Sequence, residues 1–253
     1  MTQTEWENEM CIKILDLIEN ELYIDFRYLD VAISTLILTP KESLRSTATD
    51  GISLFFPPEQ ILRVFRSNPL FLNRAVLHSV FHCIFRHLWI RGNRDSDLWN
   101  LSCDIAVEWI IDSFDKKSVK RALSGIRTNI YNDFEKQNIP VTAANIYHYL
   151  LSDVTENPDR LNQLTMEFFT DDHRFWPKDP SRSPSAAKAG QSWDKISRRM
   201  EQELNLRGDH TASGAEAIKA QIKEGKSRRS YKDFLRKFTV LQKSCIVIMM
   251  NLT

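Results

Sequence analysis

Apolar side chains recur at helical spacing along most of this chain. Between residues 5 and 38 they fall at Ile12, Ile14, Leu15, Leu17, Ile18 and Leu22, then in the run Val31 to Leu38. This pattern predicts one long or broken helix ended by Pro40. The period then changes. In STATDGISLFFPP, Asp50-Gly51 is a two-residue hairpin signal, and Ile52 to Phe56 predicts a short strand closed by Pro57 and Pro58. Helical spacing returns from Glu59 to Arg66. Ser67-Asn68-Pro69 then launches a longer helix from Pro69 to Ile90, stopped by Gly92-Asn93. Ser96 is placed to cap a further helix, Asp97 to Asp112, whose apolar set is Leu98, Leu101, Ile105, Ile110 and Ile111.

Beyond Asp115 the pattern weakens to short helices around Ser118 to Leu123, Thr142 to Leu151 and Arg160 to Phe169. PKDPSRSPSAAKAG, rich in proline and small polar residues, reads as an exposed linker. Trp193 to Leu206 and Ser213 to Glu224 read as amphipathic helices, and KSRRSYKDFLRKFTVL as a basic helix with Phe234, Leu235 and Phe238 docked inward. The fold class that follows is mostly helical α+β: one principal domain with a small antiparallel hairpin beside the Pro69 to Ile90 helix.

Composition narrows the function classes. A chain of 253 residues with 42% apolar content can bury an ordinary core. Its 34 basic and 33 acidic residues, net +1, leave no global field for a polyanion, which argues against nucleic acid as a partner. No basic and apolar leader opens the sequence, no apolar run reaches membrane-spanning length, and Cys11, Cys83, Cys103 and Cys245 form no C-x-x-C pair. These features predict a cytoplasmic protein with reduced, buried thiols and no membrane partner.

The candidate chemistry lies in LNRAVLHSVFHCIFRHLW. His78 and His82 are one helical turn apart, about 40° around the helix, so both rings can reach one ion. A catalytic zinc takes three protein ligands and keeps a fourth position for water. The third candidate is Asp104, on the helix that follows after a short turn; Asp172 and His173 of TDDHRFW are second choices. The bland reading is a pair of packed histidines, because an isolated H-x-x-x-H is a weak motif. His87, five residues after His82, points about 140° away and joins the site only if the helix breaks. Glu108, one turn past Asp104, reads as a solvated side chain in preference to a displaced base, and His148 and His210 show no constellation.

Taken in order, ATDGISLFFPPEQ, HSVFH, RDSDLWNLSCDIAVEWII and DDHRFW resemble the zincin-like metallopeptidase domain of bacterial proteins that carry a von Willebrand A-like domain behind it. The likeness runs from about Tyr28 to Phe238. It implies metal ligation by His78, His82 and Asp104, with Zn2+ as the ion, and a polypeptide substrate or protein partner. It also implies that the Ile52 to Phe56 strand is the edge along which an extended substrate pairs. Residues 1–180 would form the peptidase-like domain and 181–253 a linker and helices leading to a von Willebrand A-like domain absent from this chain. In that family the residue after the first histidine is the glutamate of H-E-x-x-H; here it is Ser79. A serine cannot take a proton from metal-bound water near neutral pH, and loss of a general base costs about 10²–10⁴ in rate. Three readings follow: an impaired or inactive metallopeptidase-like metal-binding domain, an active zinc peptidase with a displaced base, and a helical scaffold or interaction module without metal.

Overall fold

The computed structural model describes residues 2–156, 158–180, 182–206 and 213–227. Helix α1 (Gln3–Asp25) begins at a reciprocal cap: Thr2 Oγ1 accepts the Glu5 N–H, and Glu5 accepts the Thr2 N–H. It ends sooner than its apolar spacing predicts. A 3₁₀ turn (Arg27–Leu29) and a short α2 (Asp30–Ile33) reverse the chain, and Ile37–Pro40 is strand β1. The β-branched and proline-terminated ILTP overrides the helical period there.

Strands β2 (Ala48–Thr49) and β3 (Ser53–Phe56) form the expected antiparallel pair. β1 adds to β3 in parallel, giving the order β1-β3-β2. β3 is therefore the central strand, not the edge that the family likeness implied. The connecting turn is built by side chains. Asp50 Oδ1 accepts the N–H groups of Ile52 and Ser53, both at 2.8 Å, while Thr49 Oγ1 accepts Gly51 N–H at 3.0 Å. Gly51 has φ +85°, and the Trp89 ring lies 2.5 Å from where a Cβ would stand. Only glycine suits both conditions.

Helix α3 (Pro58–Ser67) leads into α4 (Pro69–Ile84), in which every residue from Leu72 to Ile84 is buried. The predicted single helix to Ile90 breaks at Arg86, which takes a left-handed conformation at φ 65° before α5 (His87–Ile90). Arg86 is no glycine, so the surroundings must hold it. Its Nη1 pairs with Asp194 Oδ1 at 3.1 Å. Asp95, one residue before Ser96, caps α6 (Ser96–Ser113) by accepting the N–H groups of Asp97 and Leu98.

α6 is the wall shared by two cores. Val107, Ile110 and Ile111 face the core built by α1, α3 and α4. Trp99, Cys103 and Ile105 face a second core made with α7 (Gly125–Lys136), α8 (Ala143–Glu156) and α9 (Pro158–Phe168). α7 escaped the sequence reading because its buried face, Arg127, Ile130, Tyr131 and Phe134, opens with an arginine. The helix predicted around Ser118 does not form. The carbonyls of Ser118 and Val119 accept instead from the side chains of Asn73 and Arg74.

The expected linker is a helix from its midpoint: α10 runs Pro184–Leu206. The Trp89 ring lies 3.1 Å from where a Cβ of Gly190 would stand, and its Nε1 donates to the Ala186 carbonyl at 2.8 Å. Trp193, Met200 and Leu204, with Ile218 and Ile222 of α11 (Ser213–Ser227), join the first core rather than lead away from it. The basic segment from Arg228, with His210 and Cys245, lies outside the described residues. Cys11, Cys83 and Cys103 are free and buried, as expected. No helix among the described residues is long and apolar enough to cross a membrane.

Candidate metal centre

α4 and α6 run antiparallel, so residues whose numbers sum to about 182–186 face each other. Arg74 meets Glu108, His78 lies between Glu108 and Asp104, and His82 meets Asp104. His78 Nε2 is 2.7 Å from His82 Nε2, and Asp104 Oδ1 lies 3.3 Å from the first and 3.2 Å from the second. The three residues chosen from sequence are thus brought together.

Two more donors complete the group. The segment after α9 runs extended beside β2: Asp172 N–H donates to Thr47 O at 2.8 Å, and Asp172 makes a parallel bridge with Ala48. In an extended chain alternate side chains share a face. Asp171 and His173 consequently turn inward together, while Asp172 turns out and holds the N–H groups of Arg174. The second-choice ligand Asp172 gives way to its neighbour, and the D-x-H spacing was the signal that names the right pair. His173 Nε2 is 3.1 Å from Asp104 Oδ1 and 2.9 Å from Asp171 Oδ1. Donor atoms of His78, His82, Asp104, Asp171 and His173 all lie within 4.8 Å of one another. Ligands held at about 2 Å from one ion stand about 3–4 Å apart, and the closest donor pairs here run from 2.7 to 3.8 Å.

Charge balance points the same way. Arg74 and Arg127 both reach Glu108 and Asp112, at 2.6–2.8 Å, so those carboxylates are neutralised. Asp104 and Asp171 meet only histidines as ionic partners among the described residues. Two buried carboxylates without a permanent cation need positive charge from elsewhere. Burial would depress His78 and His173, yet Asp171, Asp104 and Glu108 hold His78 up at about 9, and Asp104 and Asp171 hold His173 up at about 10. His82 falls to about 4, through burial and the neighbouring His78. Asp171 is at about 2: burial opposes ionisation, but His173, His78 and His82 prevail. Either protons or a divalent ion can meet this demand, and the cluster could hold a metal ion.

The supports orient the rings. Glu108, expected in solvent, is 1% exposed and accepts His78 Nδ1–H at 2.9 Å, which turns Nε2 toward the cluster. His87, expected to be partly exposed or capping, is buried, because the break at Arg86 swings its Nδ1 to 2.9 Å from His82 Nδ1. Trp176 walls the outer side, with ring centroids 4.0 Å from His173 and 4.9 Å from His82. Thr49 Oγ1 lies 3.9 Å from Cys83 Sγ, which ties the hairpin turn to the histidine helix. Ser79 is fully buried and donates to Asp171 Oδ2 at 3.0 Å. His148 stands exposed, apart from the cluster. Comparison with protein-family models, with curated proteins and with solved structures finds no match to this chain.

Proposed function

We propose that this chain is a divalent-metal-binding domain of the metallopeptidase-like, zincin class, with Zn2+ as its ion, and that its capacity for peptide hydrolysis is impaired. One observation carries the reading: the position where a general base would stand holds Ser79, whose hydroxyl is committed to Asp171 at 3.0 Å. His78, His82 and Asp104 would hold the ion, as nitrogen and carboxylate donors suit zinc. Zinc bound there supplies Lewis acidity and lowers the pKa of any water it carries.

The chain's own residues supply little beyond binding. Glu108 is unavailable as a displaced base, since Arg74, Arg127 and His78 all occupy its oxygens. Burial of His78, His82 and Asp171 also leaves a polypeptide carbonyl little access. The partner class implied is a polypeptide or folded protein in the cytoplasm, not nucleic acid or a membrane.

Metal content tests the reading. Purified protein loaded with Zn2+ and dialysed should carry about one ion per chain, and the His78→Ala/His82→Ala double variant none. Equal metal in both would remove the proposal and leave a metal-free helical scaffold. Hydrolysis of an unfolded polypeptide should be undetectable in the native chain; turnover that survives repurification and is lost in the double variant would instead establish an active peptidase.

A further inference from the structure

Ser79 links α4 to the segment after α9. Its Oγ donates to Oδ2 of Asp171, a residue 92 positions away in sequence and 1% exposed. With Oδ2 so engaged, Oδ1 is turned into the cluster, at 3.5 Å from His78 Nε2, 3.8 Å from His82 Nε2 and 2.9 Å from His173 Nε2. Neither Asp171 Oδ1 nor His173 Nε2 makes a hydrogen bond of acceptable geometry, although both are buried. Buried polar atoms seldom stay without a partner, and two of them aimed at one point describe a ligand position.

We infer that Ser79 is a positioning residue that recruits Asp171, and with it His173, as additional metal ligands, so that the ion is held by five protein donors rather than by the three of a hydrolytic zinc site. This rests on the metal-binding reading above. A glutamate at position 79 would carry its carboxylate out toward the place Asp171 now fills. The serine therefore does more than lack a basic group: it brings Asp171 to the side of the ion where a base at position 79 would activate water. A five-donor set of imidazoles and carboxylates suits a first-row divalent ion that accepts five or six ligands, with at most one exchangeable position on the Asp104 and His173 side.

The experiment uses Zn2+ and Co2+ on the native chain, Ser79→Ala and Asp171→Asn, with far-ultraviolet circular dichroism confirming the fold of each. Zn2+ affinity is read by chelator competition, and Co2+ coordination by visible absorption. The native chain should give the weaker band of a five-ligand site. Ser79→Ala should bind Zn2+ about 10–100-fold more weakly, the usual range for loss of a group that orients a ligand. Both variants should shift the Co2+ spectrum toward the intense four-coordinate form. Unchanged affinity and spectrum in either folded variant would overturn the inference while leaving the metal reading intact. A native chain that binds neither ion would overturn the metal reading itself. Should Ser79→Ala not fold, Asp171→Asn alone decides, because it preserves shape and removes the charge.

Discussion

Glu108 accepts the Nδ1–H of His78 at 2.9 Å, and this contact decides which nitrogen the ring offers to Asp104. The same carboxylate takes Arg74 Nη2 at 2.6 Å and Arg127 Nη1 at 2.7 Å. Removing it leaves two buried guanidinium groups to share Asp112 as their one remaining fully buried carboxylate, with Glu167 beside Arg127. Glu108→Ala should therefore cost about 3–5 kcal/mol of folding stability, measured by urea unfolding. Glu108→Gln should cost less while still weakening metal binding about 10–100-fold. Native-like stability in Glu108→Ala would show that the arginines find other partners.

Metal removal should lower thermal stability by mass action. Protein saturated at about a thousand times the dissociation constant gains about 4 kcal/mol, since only the folded chain gathers donors from α4, α6 and the segment after α9. Melting curves with and without a chelator read the difference, and the His78→Ala/His82→Ala variant should show none.

Gly51→Ala should destabilise the hairpin turn. The residue sits at φ +85° with Trp89 2.5 Å from the added carbon, so conformational strain and overpacking add, each about 1–3 kcal/mol. Because Trp193 Nε1 donates to the Gly51 carbonyl at 2.7 Å, tryptophan fluorescence should report the displacement along with the loss in the unfolding midpoint.

Glu19, half-buried on α1, supplies a pH dependence remote from the metal centre. Burial, and then the nearby Asp16, raise its carboxyl from 4.5 to about 7. Folding thus favours the protonated form: its contribution is full below about pH 4.5 and is lost as pH rises to about 7. Glu19→Gln should consequently gain stability over the native chain at pH 8 and not at pH 4.5. An equal difference at both pH values would dispose of the explanation.

The residues that sequence made legible share one property: their partners are near in the chain. His78 and His82 follow from helical spacing, Asp104 from the short turn between two helices, and the hairpin from Asp50-Gly51. What escaped depended on distant packing. Arg86 breaks the helix because Asp194, 108 residues on, holds it, and that break is what delivers His87 to His82. Glu108 is buried because Arg74 and Arg127 come from two other helices. Asp171 was passed over for Asp172 because TDDHRFW reads as a loop, whereas its pairing with Ala48 makes it extended and turns odd-numbered side chains inward. The small residues of SAAKAG read as linker composition; they are the floor on which Trp89 rests.

That pairing of Asp172 with Ala48 has a mechanical consequence. The backbone between Asp171 and His173 already takes the rim of the sheet at β2, so a guest strand arriving there finds its seat filled by the chain itself. To vacate the seat, the segment must withdraw two of the five donors from the cluster. While Asp172 keeps its bridge to Ala48, the cluster stays closed and that rim has no room for a further strand.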